Sequence, residues 1–281
     1  MMSRDFLAEI VARKRKSIAE QRGSIQTEAL RARAFERRGK IGAHRLRRAL
    51  EAASPEIKII AEFKRRSPSA GAIHQDQSAG EMARRYERGG ACAMSVLTDT
   101  EYFGGSLVDL AEARAATQLP LLCKDFIVDR FQLYEAAAAG ADAALLIVAA
   151  LGGESLGQLR AITEDELGLD ALVEVHTSDE LQRAAEAGAN IVGVNNRDLH
   201  TFEVSVATSE RLIEEAPKRA LMVSESGLAD PEALRRLHAL GFDAFLIGEI
   251  LMRAPDPEAA LRELIAPTTD REYPDLRIAK S

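Results

Sequence analysis

Apolar and polar residues follow one repeated pattern along the chain, an apolar run followed by an amphipathic stretch. After residue 57, short runs rich in Val, Ile, Leu and Ala alternate eight times with segments whose apolar residues recur at helical spacing. Four of the amphipathic stretches close on glycine, in RGGACA, AGADAA, AGANIV and LGFDAF, which is typical of a helix that ends in a left-handed cap before a strand. The predicted strands are 58–64, 91–98, 120–127, 141–149, 171–176, 190–196, 220–226 and 244–250.

The fold class follows from the character of these strands. Strands that are apolar on both faces favour a parallel sheet covered by helices. Eight strand–helix units in roughly 200 residues predict a (β/α)8 TIM barrel with an N-terminal helical extension. An open, doubly wound sheet remains an alternative, although no G-x-G-x-x-G follows the first predicted strand. The predicted organisation is an extension packed on the barrel (1–50), the barrel (51–266) and a polar C-terminal tail (267–281).

Composition narrows the class of protein. The chain has 281 residues, of which 46% are apolar and 29% charged, as in ordinary globular proteins. We expect neither a membrane span nor a secretory signal, because no run of about 18 apolar residues exists, and we therefore expect a cytoplasmic protein. Cys92 and Cys123 each lie in an apolar run, which predicts buried reduced thiols. The five histidines lack metal-ligand spacing, so we expect no metal.

Charge is distributed unevenly along the chain. Residues 1–50 hold 14 Lys and Arg against 5 Asp and Glu, while the whole chain holds 37 against 44, so the first fifty residues carry +9 and the remainder −16. A basic arm can bind nucleic acid, but these basic runs lack interleaved aromatic residues, so we expect no nucleic-acid partner. We expect instead an amphipathic helix whose cations stay solvated. Its inward face would consist of Phe6, Leu7, Ile10, Val11 and Ile18.

Polar residues concentrate where the predicted strands end. In a closed barrel, strand side chains alternate between the lumen and the outer face, and active sites form at the carboxyl ends of strands. The starts and middles of the predicted strands carry almost no charge apart from Lys58, so we interpret the polar ends as a functional ring at one mouth. These ends carry Glu62, Lys64, Lys124, Glu174, Asn195, Arg197, Glu225, Ser226, Gly248 and Glu249.

The end of the first strand, in IIAEFKRRSPSAG, places an acid and a base two residues apart. Glu62 and Lys64 share a face because strand side chains alternate with period two, and each offsets the other's desolvation cost. Two lysines and Arg197 with few carboxylates indicate a small anionic substrate, and Phe126 offers an apolar wall for a flat ring. We expect Lys64 and Lys124 to crowd one another, which would lower the lysine pKa and make the ammonium a better acid.

The loops after the last two strands predict a phosphate site. Gly227 and Gly248, in SESG and LIGE, would let backbone N–H groups approach a ligand closely, and barrels often hold phosphate at these loops. Ser226 and Glu249 belong to the same loops. Because a carboxylate repels phosphate, we expect the Glu249 side chain to turn away while the backbone binds.

Several stretches along the chain can be compared with known families, among them IAEFKRRSPS, LLCKDFIVD, LVEVHT, VGVNNRDLHTFEV, VSESG and FLIGEILM. In their order and spacing they resemble the indole-3-glycerol-phosphate synthase family over nearly the whole chain. The resemblance implies one barrel whose N-terminal extension covers part of the mouth. It also implies ring closure of 1-(2-carboxyphenylamino)-1-deoxyribulose 5-phosphate, a phosphosugar, to indole-3-glycerol phosphate with loss of CO₂ and water, in tryptophan biosynthesis. No cofactor or metal is expected, and we expect a monomer.

The resemblance also implies catalytic roles at matching positions. Lys124 resembles the family's general acid, which protonates the substrate carbonyl, and Glu174 resembles the general base of the later proton removal. Lys64 looks like the second lysine that contacts substrate, with Glu62 orienting it. Asn195 matches another position of this catalytic set.

Binding roles follow from the same resemblance. Asn195 and Arg197 match substrate-contacting positions, and Ser67 lies in the loop that would border the aromatic carboxylate. We expect Glu225 and Phe126 to contact the substrate as well. Ser226, Gly227, Gly248 and Glu249 match the phosphate loops. This sequence departs from the family pattern at Ala70, where relatives often have Lys, and at Glu249, where some have Ser.

Three alternatives remain open from the residues alone. The first is another phosphosugar barrel, such as an isomerase. The second is a Schiff-base aldolase, in which Lys64 or Lys124 would be a covalent nucleophile. The third is a catalytically silent module that binds a phosphorylated ligand.

Overall fold

The structure is a computed structural model that describes residues 6–22, 27–54, 56–67, 71–73, 77–199 and 201–266. The predicted tail (267–281) and Ala70 lie outside the described residues.

Eight parallel strands in the described part of the chain close into a barrel. Each strand pairs with its neighbours in sequence, and β8 closes on β1 with Leu246 opposite Ile60. The predicted (β/α)8 barrel is therefore confirmed, and the open sheet is excluded. The strands are β1 Ile59–Phe63, β2 Ala93–Leu97, β3 Leu121–Lys124, β4 Ala143–Ile147, β5 Asp170–Val175, β6 Ile191–Asn195, β7 Leu221–Glu225 and β8 Ala244–Ile247.

Helices precede the barrel, alternate with its strands and pack on its outer face. Gly90, Gly140 and Gly241 adopt left-handed φ values at helix C-caps, as the glycine pattern predicted. Short 3₁₀ segments occupy Val148–Ala150 and Ile213–Glu215, and a π segment occupies Ile162–Glu166. The helices are α1 Phe6–Arg22, α2 Thr27–Arg38, α3 Arg45–Glu51, α4 Ala79–Gly89, α5 Thr100–Phe103, α6 Leu107–Ala116, α7 Arg130–Ala139, α8 Gly153–Ala161, α9 Ser178–Glu186, α10 Ala207–Leu212, α11 Pro231–Leu240, α12 Glu249–Arg253 and α13 Pro257–Ile265.

The core has two layers, set by the alternation of strand side chains. One layer lies between the strands and the outer helices. The other fills the lumen with residues such as Ile60, Leu122 and Leu172, and Leu46 and Leu50 of α3 belong to it. Each fully buried Leu of this kind contributes about 1.5–3 kcal/mol, so α3 is held on the barrel by its apolar face. The extension is thereby fixed to the barrel.

The cations of the extension are not all solvated, which corrects the sequence interpretation. Leu7, Ile10 and Ile18 are buried as predicted. Lys14, however, lies 2.9 Å from Asp99 and 2.6 Å from Asp125 of the barrel. Arginines of α1 and α2 likewise pair with barrel carboxylates, since an acidic barrel attracts a basic extension.

Strand starts also carry charge, contrary to expectation. Asp142, just before β4, and Asp170, the first residue of β5, are almost fully buried. Asp142 pairs with three arginines, and Asp170 bonds His44 Nδ1 and the backbone N–H of Arg47 at 3.1 and 3.0 Å. Burial of these carboxylates is tolerated because cations and N–H groups compensate their charge. The partners lie far away in sequence, so the pattern of residues did not reveal them.

Both cysteines are free thiols, as the sequence predicted. Burial raises the pKa of Cys92 and of Cys123 to about 12. Among the described helices, none combines the length and apolar character needed to cross a bilayer. Within the same residues, no cluster of three or more His, Cys, Asp or Glu side chains has the arrangement of a metal site.

Candidate active site

A cavity of about 740 Å³ opens at the carboxyl ends of the barrel strands. All the site residues proposed from the sequence line this cavity, although their roles stay predictions. They are Glu62, Lys64, Ser67, Lys124, Phe126, Glu174, Asn195, Arg197, Glu225, Ser226, Gly227, Gly248 and Glu249.

Four charged side chains from alternate strands form one layer at the floor of the cavity. Glu62, Lys124, Glu174 and Glu225 come from β1, β3, β5 and β7, the pattern by which alternate strands fill a layer of a barrel. Lys124 Nζ lies 3.2 Å from Glu174 Oε2 and 2.8 Å from Glu225 Oε2. The ammonium is therefore held between two buried carboxylates.

The carboxylates overturn the expected lysine crowding. Lys64 Nζ lies 2.7 Å from Glu62 Oε1, so each lysine has carboxylate partners. Burial alone lowers the pKa of Lys124, but the charges of Glu225, Glu174 and Glu62 raise it more, and the net pKa is above that of an ordinary lysine. The prediction of a lowered lysine pKa is wrong, because the strand alternation that gathers the lysines also gathers the acids.

The two carboxylates beside Lys124 have pKa values shifted in opposite directions. Burial raises the pKa of Glu174, but the charges of Lys124 and His176 and a hydrogen bond from Asn195 lower it further, so the net pKa is below the usual value. For Glu225, burial outweighs the effect of Lys124, and the nearby acids add to it, which raises its pKa to about 7. Such divergence separates an ionised base from a group that can carry a proton.

Glycine makes room for two of these acids. A Cβ atom on Gly193 of β6 would stand 2.1 Å from Glu225 Oε1, and one on Gly248 would stand 2.4 Å from Glu62 Oε1. Glu225 Oε1 is buried and has no hydrogen-bond partner among the described residues. Any larger side chain at position 193 would therefore displace the Glu225 carboxylate.

His176 joins the site, although the sequence analysis did not select it. Its Nε2 lies 3.5 Å from Glu174 Oε1, and its Nδ1 lies 3.2 Å from Glu180 Oε2. The same Glu180 oxygen accepts the backbone N–H of His176 at 2.7 Å. The available signal was its position two residues after Glu174, just beyond the end of β5, with an acid four residues further on.

Asn195 and Arg197 brace the rim beside Glu174. The Asn195 amide hydrogen-bonds Glu174, and its Oδ1 accepts the backbone N–H of Arg197 at 3.0 Å. Arg197 also donates to the carbonyl of Phe202 at 3.1 Å. The guanidinium is thereby anchored at the edge of the cavity.

The loops after β7 and β8 form the opposite rim. Ser226 and Gly227 both adopt left-handed backbone conformations, with φ values of 67° and 73°. β8 ends at Ile247 and α12 begins at Glu249, so the predicted strand 244–250 is too long. Glu249 Oε1 lies 3.1 Å from Arg253 Nε, one turn along α12, so that carboxylate pairs within its own helix.

Aromatic and apolar residues cover the cavity. Phe6, Leu7 and Ile10 of α1 line it, a role that the sequence analysis did not assign to them. The Phe6 ring meets Tyr102 and Phe202 edge-on at 5.1 and 5.0 Å between centroids. Phe126 lies 6.3 Å from Phe103, which gives an apolar wall wide enough for a flat ring.

Comparison with known proteins gives one consistent result. The family model described as indole-3-glycerol phosphate synthase matches residues 7–264. The chain is 46% identical over 264 residues to the indole-3-glycerol phosphate synthase of Syntrophobacter fumaroxidans, which covers 92% of this chain and 97% of that protein. It is 44% identical over 263 residues to the enzyme of that name from Bacteroides thetaiotaomicron, covering 93% and 98%.

A solved structure, thiamine phosphate pyrophosphorylase from Pyrococcus furiosus, is similar in fold. It superposes with a TM-score of 0.57 at 18% identity and covers 74% of this chain and 93% of that chain. At this identity the likeness concerns the barrel fold alone.

Proposed function

The chain belongs to the indole-3-glycerol phosphate synthase family, carboxy-lyases of tryptophan biosynthesis, and on that premise we propose how its cavity performs the reaction. The substrate is 1-(2-carboxyphenylamino)-1-deoxyribulose 5-phosphate, and the product is indole-3-glycerol phosphate. The observation that carries the proposal is the Lys124 ammonium, held between Glu174 and Glu225 at the floor of the cavity.

The rims of the cavity suit the two ends of this substrate. Backbone N–H groups of Ser226, Gly227 and Gly248 take the phosphate, while the Glu249 side chain is engaged with Arg253. The aromatic ring stacks near Phe126, and its carboxylate lies towards Ser67, Lys64 and the anchored Arg197. In this proposed orientation, the substrate carbonyl lies over Lys124.

Lys124 acts as the general acid of ring closure. Attack of the aryl carbon turns the carbonyl oxygen into a strongly basic alkoxide, which an ammonium stabilises and then protonates. The raised pKa keeps Lys124 charged until the alkoxide develops. Lys64, oriented by Glu62 at 2.7 Å, adds positive charge beside the substrate.

Glu174 acts as the base of the later step. Loss of CO₂ restores the aromatic ring, and dehydration then requires removal of a proton while the hydroxyl leaves as water. The lowered pKa of Glu174 keeps this carboxylate ionised, and Asn195 fixes its orientation. General acid–base groups of this kind each contribute roughly 10²–10⁴-fold to the rate.

A Schiff-base mechanism fits the geometry less well. A nucleophilic lysine must be an uncharged amine, and such lysines have lowered pKa values. The pKa of Lys124 is raised by its carboxylate neighbours, so its ammonium form dominates. Borohydride reduction in the presence of substrate should therefore leave no adduct at Lys124, and a stable adduct there would replace acid–base catalysis with covalent catalysis.

The wider organisation of the protein is proposed on the same basis. The extension (1–50) packs on the barrel (51–266), and the monomeric state stays a prediction. Several cations of the extension pair with barrel acids, which supports the absence of a nucleic-acid partner. The cytoplasmic location stays a prediction from the sequence.

The test is direct. Purified protein is mixed with the anilino-deoxyribulose phosphate, and indole formation is followed by fluorescence, which is free of tryptophan background because the chain has no Trp. We expect product together with CO₂. A protein that binds the compound without forming indole would be a silent binding module, and the proposal would be wrong.

A further inference from the structure

The proposed reaction consumes a proton in every turnover. The aromatic carboxylate enters as an anion and leaves as neutral CO₂, while the carbonyl oxygen leaves as neutral water. Two protons must reach that oxygen, one at ring closure and one at dehydration, and the base recovers only one of them. One proton must therefore reach the catalytic acid from solvent, an inference that rests on the proposed function.

The acid and base of the site have little access to solvent of their own. The side chains of Lys124 and Glu174 are 10% and 2% exposed. Helix α1 covers the mouth with Phe6, Leu7 and Ile10, and a bound substrate lies between Lys124 and the opening. Glu174 can return the proton it removes to Lys124 across 3.2 Å, but the second proton needs another route.

A chain of titratable groups leads from Glu174 towards the surface. His176 lies between Glu174 and Glu180. Its Nε2 atom is 3.5 Å from Glu174 Oε1, and its Nδ1 atom is 3.2 Å from Glu180 Oε2. His176 Nε2 is buried and has no hydrogen-bond partner in the described part of the chain, so Glu174 Oε1 at 3.5 Å is an ion-pair neighbour that a small movement of the ring would bring into hydrogen-bond distance. Side-chain exposure rises along the chain, from 2% at Glu174 to 13% at His176 and 16% at Glu180.

We propose that His176 and Glu180 form a proton relay that recharges the buried Lys124–Glu174 pair from solvent during each turnover. Solvent protonates the Glu180 carboxylate, which passes its proton to Nδ1 as His176 releases the Nε2 proton to Glu174 Oε1. Glu174 then protonates the neutral amine of Lys124. Glu180, Glu174 and His176 return to their starting charges, Lys124 regains its ammonium, and one solvent proton has been consumed. His176 is left with its proton on Nδ1 instead of Nε2. After product release the ring gives up the Nδ1 proton through Glu180 and takes one at Nε2 from solvent, which restores the starting tautomer.

The charges around His176 favour this role. The groups that act on it are Glu180 of α9, Glu174 of β5 and Glu225 of β7, all acids, and Lys124 lies beyond Glu174. Burial lowers the pKa of His176, but the hydrogen bond to Glu180 and the charges of the three acids raise it more, so the net pKa is above that of a free imidazole. The raised pKa helps the ring to accept a proton near neutral pH, as a relay requires.

Two substitutions interrupt the relay and keep its shape. In His176→Gln the amide can still donate a hydrogen bond to Glu174, and in Glu180→Gln the amide oxygen can still accept from His176, but neither amide transfers protons at neutral pH. Matched controls lie outside the site. His238→Gln changes a histidine that contacts the Phe242 carbonyl, and Glu81→Gln changes an acid paired with Arg85 on α4.

The measurements are kcat and KM between pH 6 and 9, with and without added imidazole as a small diffusible acid. For His176→Gln and Glu180→Gln we expect kcat to fall on the order of 10–100-fold, less than for loss of a direct acid or base, with KM within about twofold. The loss should grow with pH, and imidazole should restore part of kcat. The controls should match the unsubstituted protein.

Three outcomes would overturn the relay while leaving the proposed function intact. They are an unchanged kcat, a kcat loss that imidazole does not restore, and a loss confined to KM. If the unsubstituted protein forms no indole, the proposed function itself fails.

A second measurement does not depend on turnover. The titration of His176, followed by NMR of the imidazole nitrogens in the unliganded protein, should show a pKa above that of a free imidazole. Glu180→Gln should lower the His176 pKa, whereas the control Glu81→Gln should leave it unchanged. A His176 pKa that is insensitive to Glu180 would show that the two groups are not coupled, and the relay would be wrong.

Discussion

The two ends of the barrel both bury carboxylates against cations, but they use different cations. At the amino end, Asp142 is fully buried and pairs with Arg38, Arg45 and Arg114. At the carboxyl end, Glu174 and Glu225 share Lys124. Arginine keeps its proton at any physiological pH, whereas lysine can release one in a suitable site. The comparison supports the proposal that the amino-end cluster holds structure and the carboxyl-end cluster moves protons.

The buried carboxylates at the two ends also differ in how completely they are hydrogen-bonded. Asp142 Oδ2 accepts from Arg45, Arg114 and the backbone N–H of Leu121, at 2.8–3.0 Å. Glu225 Oε1, by contrast, is buried without a partner among the described residues. Unsatisfied buried polar atoms cost free energy, and they are retained mainly where function uses them.

Removal of Lys124, the cation at the carboxyl end of the barrel, should have the largest effect on kcat. In Lys124→Ala, the alkoxide loses its acid, and we expect kcat to fall by about 10³-fold or more with a modest change in KM. The indole fluorescence assay measures both parameters. The matched control is Lys58→Ala at the entrance of the barrel, which should turn over normally. Near-normal turnover in Lys124→Ala would mean that another group is the acid.

Removal of an amino-end cation should affect stability and spare catalysis. Arg38 donates to Asp142 and to the carbonyls of Leu167, Ala141, Gly42 and Gly168. For Arg38→Met we expect a loss of about 3–5 kcal/mol in the free energy of unfolding, because buried acceptors lose their donor.

Urea unfolding measures that loss, and kcat per folded molecule should stay within twofold. The control, Arg31→Met, breaks an exposed pair with Glu166 and should leave the free energy of unfolding nearly unchanged, because solvent screens such pairs. An Arg38 variant that is stable but inactive would contradict the division between the two ends.

A side chain added at Gly193, beside Glu225, should have an intermediate effect on kcat. In Gly193→Ala, the new methyl group would overlap Glu225 Oε1 and push this carboxylate away from Lys124. A displacement of this size lowers kcat by about 100-fold in a preorganised site. Steady-state kinetics measures this loss. Gly157→Ala on α8, where a Cβ meets nothing within 4 Å, is the control and should leave kcat unchanged.

The smallest effect should be seen in the pH dependence of stability. The pKa of Glu225 is raised from about 4.3 in the unfolded chain to about 7 in the folded one. A raised carboxyl pKa contributes stability that is complete below the unfolded pKa and is lost as pH rises through about 7. Glu225→Gln should therefore flatten the fall in stability between about pH 4 and 7. Thermal unfolding across this range measures the effect, and identical slopes in both proteins would contradict the raised pKa.

The sequence by itself determined the barrel and the place of its chemistry. Alternation of apolar runs with amphipathic stretches set the strands and helices, because these patterns reflect local periodicities of 2 and 3.6 residues. The same period placed Glu62 beside Lys64. The rule that barrel strands present function at their carboxyl ends then selected Lys124, Glu174 and Glu225, all of which line the cavity.

Only the tertiary structure decided which charges meet. Glu174 and Glu225 lie 50 and 101 residues from Lys124 in sequence, yet both contact its ammonium. The raised pKa of Lys124, the inclusion of His176 and the arginine partners of Asp142 all depend on distance and burial. Coulomb and desolvation energies change steeply over a few ångströms, and such distances are set by the closed barrel rather than by any local pattern of residues.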